Sequence, residues 1–406
     1  MMMHNNPVLR SRTLAVGVGC LLAVTLTGCD FLGFGSDDDP AQVVDEDDGD
    51  DSPGSMEVIF DEDVPMADGS SEVLEVDVPD DVYSIAISIT ETELDHNYFI
   101  GEWNSPDGFE FVPSGWADFS AGMCYPDCNL RIMESGGAFA ALAPASPDSE
   151  DGVVGGIHEF TVGSSEPQTG FMSNDVDAAD ADEEVRVTVK IERVDNDVPD
   201  SGTLDLNLFF TDANGWNADD APDDHQIQEM IEDIDRIYDQ VNIDIGDVAY
   251  HDVDGSYETI GQREMTTPDG DLAELFMQSE RAELDGPVVF FVEDLGMAAG
   301  IAPAIPGPMH RNGSRRSGVA VSTSGAQMSG GLASVTAHEL GHHFGLFHTT
   351  EQSQGGGGGF MPEHDPLPDT EEDDMSYLMH ATPHGEEMSE WQGRVMRKNP
   401  WVTLDD

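Results

Sequence analysis

Within residues 56–195, apolar and polar residues tend to alternate. Leu74, Val76 and Val78 form one such run, and Ile85, Ile87 and Ile89 a second. Val185, Val187, Val189 and Ile191 form a third. A period of two is that of a half-buried strand. Clusters of Gly, Pro, Ser and Asp separate the runs. The pattern predicts a β-sandwich module over 56–195. The acidic, turn-rich residues 194–202 follow it, and from Thr203 the period changes. Leu204, Leu206 and Leu208 alternate as a strand. Ile227, Met230, Ile231, Ile234, Ile237, Tyr238 and Val241 then recur at spacings of three and four, one face of a helix. Ile243 and Ile245 predict a short strand, and Leu272, Leu275 and Phe276 a second helix. Residues 288–292, an unbroken Val-Val-Phe-Phe-Val, read as a buried strand, and Val319 to Val321 as a shorter one. Near the end, Ser389 and Gln392 have capping-box spacing, and Asn399-Pro400 stops the helix that follows. The glycine run 355–359 is a loop. Alternating strands and helices over 203–406 imply a second domain, with α and β elements and a mixed twisted sheet.

Charge narrows the partners. The chain has 406 residues, with 15 Lys+Arg against 83 Asp+Glu and a formal net charge of −68. Phosphate backbones and anionic lipid surfaces need Lys and Arg, so nucleic acid and a polybasic membrane patch are excluded. Acidic runs are usually solvated faces, and their repulsion is screened in a salty medium. A second role for them is calcium binding. Asp175, Asp177, Asp180 and Asp182 form one candidate cluster, and the run from Asp212 to Asp224 another. Neither keeps the spacing of an EF-hand loop, so Ca²⁺ is the secondary expectation.

The N-terminus predicts export. Arg10 and Arg12 precede a mostly apolar run, residues 13–27, too short for a comfortable membrane span. The run ends in Leu26-Thr27-Gly28-Cys29, which resembles a bacterial lipobox. That resemblance implies a signal peptide over 1–28, cleavage after Gly28 and a lipid on Cys29. It makes the protein a lipoprotein of the bacterial cell envelope, on the outer membrane at its periplasmic face or surface. A plain signal peptide or an uncleaved anchor is the alternative. Residues 29–55 are dense in Asp and poor in core-forming side chains, as a solvated tether would be. Removing 1–28 takes away two arginines and no acid, so the mature chain is more acidic still. In that oxidising setting Cys124 and Cys128 are read as a small-loop disulfide.

One segment carries chemistry. Residues 338–348 read His-Glu-Leu-Gly-His-His-Phe-Gly-Leu-Phe-His. On a helix, His338 and His342 lie one turn apart and face the same way. Two imidazoles on one face can share a Zn²⁺ ion. Gly345 can take a left-handed conformation that ends the helix and lets His348 close in as a third ligand. Three protein ligands leave a fourth position for water, the arrangement of a catalytic zinc site. Glu339 is placed to reach that water rather than the metal. His343 points off this face and reads as a supporting or surface residue.

These residues resemble the metzincin clan of zinc metallopeptidases, whose pattern is H-E-x-x-H-x-x-G-x-x-H followed by a Met-turn. The resemblance implies a zincin-type catalytic domain over 203–406 and one catalytic zinc on His338, His342 and His348. It makes Glu339 the general base and protein or peptide chains the substrates. It places Met379, in Leu378-Met379, beneath the metal, as in pappalysin-like bacterial members. Met375 is the alternative, which would set Tyr377 where some metzincins carry a zinc-interacting Tyr. His364-Asp365-Pro366-Leu367 and Asp369-Thr370 also resemble the stretch between zinc helix and Met-turn in pappalysin-like enzymes. That family often has cysteines there and this chain has none, so its loop must be held by other means. The strand before the zinc helix is expected to bind substrate as an added strand, which points to Gly318, Val319, Ala320, Val321 and Ser322. The β module resembles small jelly-roll domains found beside secreted bacterial peptidases. The rival to an exported endopeptidase is a non-catalytic surface binding lipoprotein with a structural zinc. Glu339 argues against it, since a purely structural site has no need of that carboxylate.

Overall fold

The computed structural model describes residues 56–91, 97–112, 138–165, 184–194, 199–261, 264, 270–296, 298–309, 312–327, 329–355, 359–381 and 384–405. The expected leader, Cys29 and the acidic tether lie outside these residues, as do Cys124, Cys128 and the cluster Asp175, Asp177, Asp180 and Asp182. Among the described residues, no helix is long and apolar enough to cross a membrane.

Among the described residues, nine strands form the N-terminal sheet: β1 (Met56–Ala67), β2 (Ser70–Ser71), β3 (Leu74–Val78), β4 (Val82–Glu91), β5 (Asn97–Asn104), β6 (Glu110–Val112), β7 (Ala138–Ala143), β8 (Gly156–Ser165) and β9 (Glu184–Arg193). Their order is β6-β5-β8-β2-β1-β9-β4-β7, with β3 also on β8. Long β1 joins the two ends, because most of it pairs with β9 while Met66 and Ala67 pair with β2. The sheet curls so that both ends face one core. Ile85, Ile87, Val187 and Val189 meet Val76, Trp103, Phe111 and Phe160 there. The alternating runs over 74–78, 82–91 and 184–193 supply much of that core because every second side chain points inward. A short helix, α1 (Pro147–Glu150), follows β7.

The second sheet is mixed. Its order is β11 (Ile243–Asp252), β10 (Gly202–Phe210), β12 (Val288–Val292), β14 (Val319–Ser322) and β13 (Gly300–Ile301), with β17 (Val402–Leu404) on the start of β10. The pairs β11–β10, β10–β12 and β12–β14 are parallel, and β13 joins antiparallel at the edge. Both faces are covered. Leu204, Leu206, Leu208, Val289, Phe291, Val319 and Val321 face α2 (His225–Tyr238). Phe209, Val288, Phe290, Val292 and Ala320 face α3 (Asp271–Met277). A strand buried on both sides needs no polar face, which is why 288–292 is apolar throughout. After β14 come α4 (Thr323–Ala326) and α5 (Leu332–His343). A hairpin, β15 (Thr350–Gly355) with β16 (Gly359–His364), follows, so the outer glycines of the 355–359 run belong to strands. Helix α6 (Glu390–Met396) starts at Ser389 with the expected capping box.

Helix α5 lies against α2, where the Tyr238 hydroxyl donates to the Ala337 carbonyl at 2.8 Å. The two sheets also share apolar packing. Ala86, Ala140 and Leu142 of β4 and β7 join the same core as Leu340, Phe344, Leu346 and Val395.

Candidate active site

The helix that carries the motif ends by a device its sequence encodes. Gly345 has φ +107°, its N–H donates to His342 O at 2.9 Å, and the Leu346 N–H donates to Gly341 O at 2.9 Å. This pair of bonds is a Schellman turn, and only glycine adopts its left-handed residue without strain. A Cβ on Gly345 would meet nothing closer than 3.7 Å, so conformation rather than space selects the glycine. The turn swings the chain back, and His348 joins His338 and His342.

Two of the rings are aimed from behind. His338 Nδ1 donates to Leu378 O, and His342 Nδ1 to Leu346 O, each at 2.7 Å. A carbonyl only accepts, so both Nδ1 atoms carry protons and both Nε2 atoms keep lone pairs. The Nε2 atoms of His338, His342 and His348 stand 3.1–3.2 Å from one another. Lone pairs crowded so closely repel unless a cation lies between them. Nitrogens about 2 Å from a shared tetrahedral ion stand about 3.3 Å apart, so the donor set fits zinc. Among the described residues this is the one group of three or more His, Cys, Asp or Glu side chains gathered closely enough for a metal. The residues between Asp212 and Asp224 form no such group. Asp224 instead caps α2, accepting from Gln226 N and Ile227 N, and Asp220 bonds to Asn217.

Glu339 is buried beside the first ring. Burial pushes its carboxyl up to about 8, opposed by the backbone N–H of Ala302. A cation on the neighbouring histidines would draw it down again by favouring the carboxylate. Edge strand β13 runs past this side chain. A Cβ on Gly300 would stand 2.5 Å from Glu339 Cγ, so only glycine lets the edge approach this closely.

The two methionine candidates separate clearly. Met379 is 0% exposed, and its Sδ would stand 2.6 Å from a Cβ on Gly341, within the helix of the motif. Met375 is 52% exposed, and the Tyr377 hydroxyl donates to Asp369 O rather than joining the histidines. His343 is no surface residue. It is buried against Gly307, where a Cβ would stand 2.0 Å from its Nδ1, and burial pushes its ring down to about 4.

The substrate strand expected at Gly318, Val319, Ala320, Val321 and Ser322 is not available as an edge. Val319 to Ser322 pair with β12 on one side, and β13 pairs with Ala320 and Val321 on the other. Gly318 has φ +100°, and a Cβ there would stand 2.5 Å from Val288 O, so it serves the packing of β12. Ser322 caps α4 through the Gly325 N–H. Among the described residues the sheet ends instead at Gly300 and Ile301, which pair with β14 alone. A two-residue strand leaves no periodic signal, so nothing in the sequence pattern marked it.

Residues 208–392 match the family model Reprolysin_5, described as metallo-peptidase family M12. The segment includes the three histidines, Glu339 and Met379, and the match supports a metzincin-like zinc metallopeptidase. Among solved structures, the chain is similar to metalloproteinase-II from Bacteroides fragilis. That likeness has 14% identity and a TM-score of 0.31, and it covers 52% of this chain and 62% of the other. The chain thus spans less than two thirds of that protein. The protein YXIM_BACsu from Bacillus subtilis is similar at 11% identity and a TM-score of 0.15, with 54% of this chain and 46% of that one covered. No curated protein matches the chain.

Proposed function

We propose that the protein is an exported zinc-dependent metalloendopeptidase, held at the cell envelope by a lipid on Cys29. The observation that carries the catalytic reading is the convergence of three imidazole Nε2 atoms, with Glu339, next to His338 on the same helix, buried against edge strand β13. Bound to His338, His342 and His348, zinc would supply a water of pKa about 7 and draw electron density from the scissile carbonyl. Glu339 takes the proton of the attacking water and returns it to the leaving amine. The Ala302 N–H holds that carboxylate in place. A peptide docks antiparallel along Gly300 and Ile301, which brings its backbone past Glu339. We read the curled N-terminal sheet as a β-sandwich accessory module.

The test is cleavage of unfolded casein by the chain from Asp30 onward, with and without chelator, beside Glu339→Gln. Chelator-sensitive cleavage that zinc restores, reduced at least about a thousandfold in the variant, supports the peptidase. Zinc binding with equal inactivity in both proteins favours the binding lipoprotein. Labelling by a radioactive fatty acid in wild type but not in Cys29→Ser tests the anchor.

A further inference from the structure

The imidazoles of His338 and His342 belong to a helix, but His348 sits in the loop beyond it. Its position depends on the backbone that follows. That backbone is gripped at the next residue. The Thr349 N–H donates to Met379 O at 2.8 Å. The Thr349 carbonyl accepts His364 Nδ1 at 2.6 Å and the Asp365 N–H at 3.0 Å. His364 is flanked on its other side by Thr370, whose carbonyl oxygen lies 3.0 Å from Nε2. Asp365 Oδ1 lies 3.9 Å from that nitrogen. The same oxygen accepts the Thr370 hydroxyl at 2.6 Å and the Leu367 N–H at 3.1 Å, and Asp365 is buried. The Thr370 hydroxyl is also 3.3 Å from His364 Nε2, but its single proton goes to the shorter bond with the carboxylate.

We infer that His364 is a positioning residue for the metal centre: by holding the Thr349 carbonyl, it sets His348 at the distance from His338 and His342 that a shared ion requires. The inference rests on the zinc peptidase reading. Asp365 and Thr370 hold the loop that holds His364. Together these groups brace the loop by hydrogen bonds. The bond that matters is the one from Nδ1, and this makes the inference sharp. Asparagine places an amide N–H near the position of Nδ1, whereas glutamine places one near Nε2. Leucine keeps the bulk and neither donor.

The experiment compares His364→Asn, His364→Gln and His364→Leu with the wild-type chain. Zinc affinity is read by competition with a chromogenic chelator, and casein turnover is measured beside it. Removing a group that orients a metal ligand typically weakens metal binding about 10- to 100-fold. The Gln and Leu variants are expected to fall in that range and the Asn variant to stay within about twofold of wild type. In the same order kcat falls, while KM stays, because the substrate edge is untouched. Wild-type affinity in the Leu variant, or equal affinity in the Asn and Gln variants, overturns the inference. If the Leu variant does not fold, the Asn and Gln pair decides. A wild-type chain that binds zinc but cleaves nothing fails the peptidase reading alone, and the affinity ranking still judges His364. A wild-type chain that binds no zinc overturns both.

Discussion

Two glycines near the centre are expected to fail in different ways. A Cβ on Gly341, within the helix of the motif, would stand 2.6 Å from Met379 Sδ. A Cβ on Gly300 would meet the Glu339 side chain at 2.5 Å, from edge strand β13. Gly341→Ala should therefore loosen the metal and lower bound zinc, measured by elemental analysis after dialysis. Gly300→Ala should keep full zinc and lose about a hundredfold or more in casein turnover, since misplacing a catalytic group by an ångström costs that much. Neither clash is legible in the chain, because each partner comes from a distant segment. His338, Glu339 and His342 were legible because one helical turn holds them together, and His348 because Gly345 marks the turn that returns the chain. A third residue bears on pH. Glu192 on β9 is buried beside Ser84, and burial pushes its carboxyl up to about 8, against the pull of nearby Lys398. The unfolded chain releases that proton near the ordinary value of 4.5. Between the two values the folded protein holds the extra proton, so stability falls as pH rises through that window. Glu192→Gln should raise Tm at pH 8 by on the order of 5 °C, and by less at pH 5.5.

Among the elements, those with a clean period were readable. Helix α2 followed from its three-four spacing, and β12 from its apolar run. Helix α6 followed from Ser389 and Gln392, where the Gln392 N–H donates to Ser389 Oγ at 3.2 Å. Ser389→Ala should cost about 1 kcal/mol in urea unfolding, the usual worth of such a cap, if the whole unit unfolds together. Other elements gave no such signal. Strand β7 is largely alanine, the hairpin of β15 and β16 is mostly polar, and β1 carries a proline and several acids. The sequence order misleads about which strand is outermost, for a topological reason. After β12 the chain first lays down β13 outermost and only then returns as β14 between the two, so the strand next to the motif helix in sequence is not the outermost in space.

At the scale of the molecule, the two sheets are not separable by the packing they share. Leu142 of the first sheet lies 3.8 Å from where a Cβ on Gly345 would be, at the turn that brings in His348. Lys398, just past α6, is nearly buried and pairs with Glu150 of the first half at 3.3 Å. Its ammonium also stands 5.6 Å from the Tyr83 ring centroid. A chain cut to begin at residue 199 would expose this apolar surface and strand that charge. Such a fragment is expected to be insoluble or to unfold at least about 10 °C below the chain from residue 56, by calorimetry. A fragment as stable as the longer chain would refute a shared core.

Under the proposed docking of peptides along β13, the brevity of that strand has a kinetic consequence. A sheet edge of two residues can grip a peptide backbone through only a few hydrogen bonds, each worth about 1 kcal/mol net. Binding then rests on whichever side chains flank the cut, and a docked peptide leaves easily. Residence would be short and KM high, toward 1 mM at the upper end of the usual range for enzymes. Such kinetics suit a scavenger of plentiful unfolded chains, not a processor of one scarce partner. Low-micromolar KM values across unrelated peptides would contradict that lifestyle.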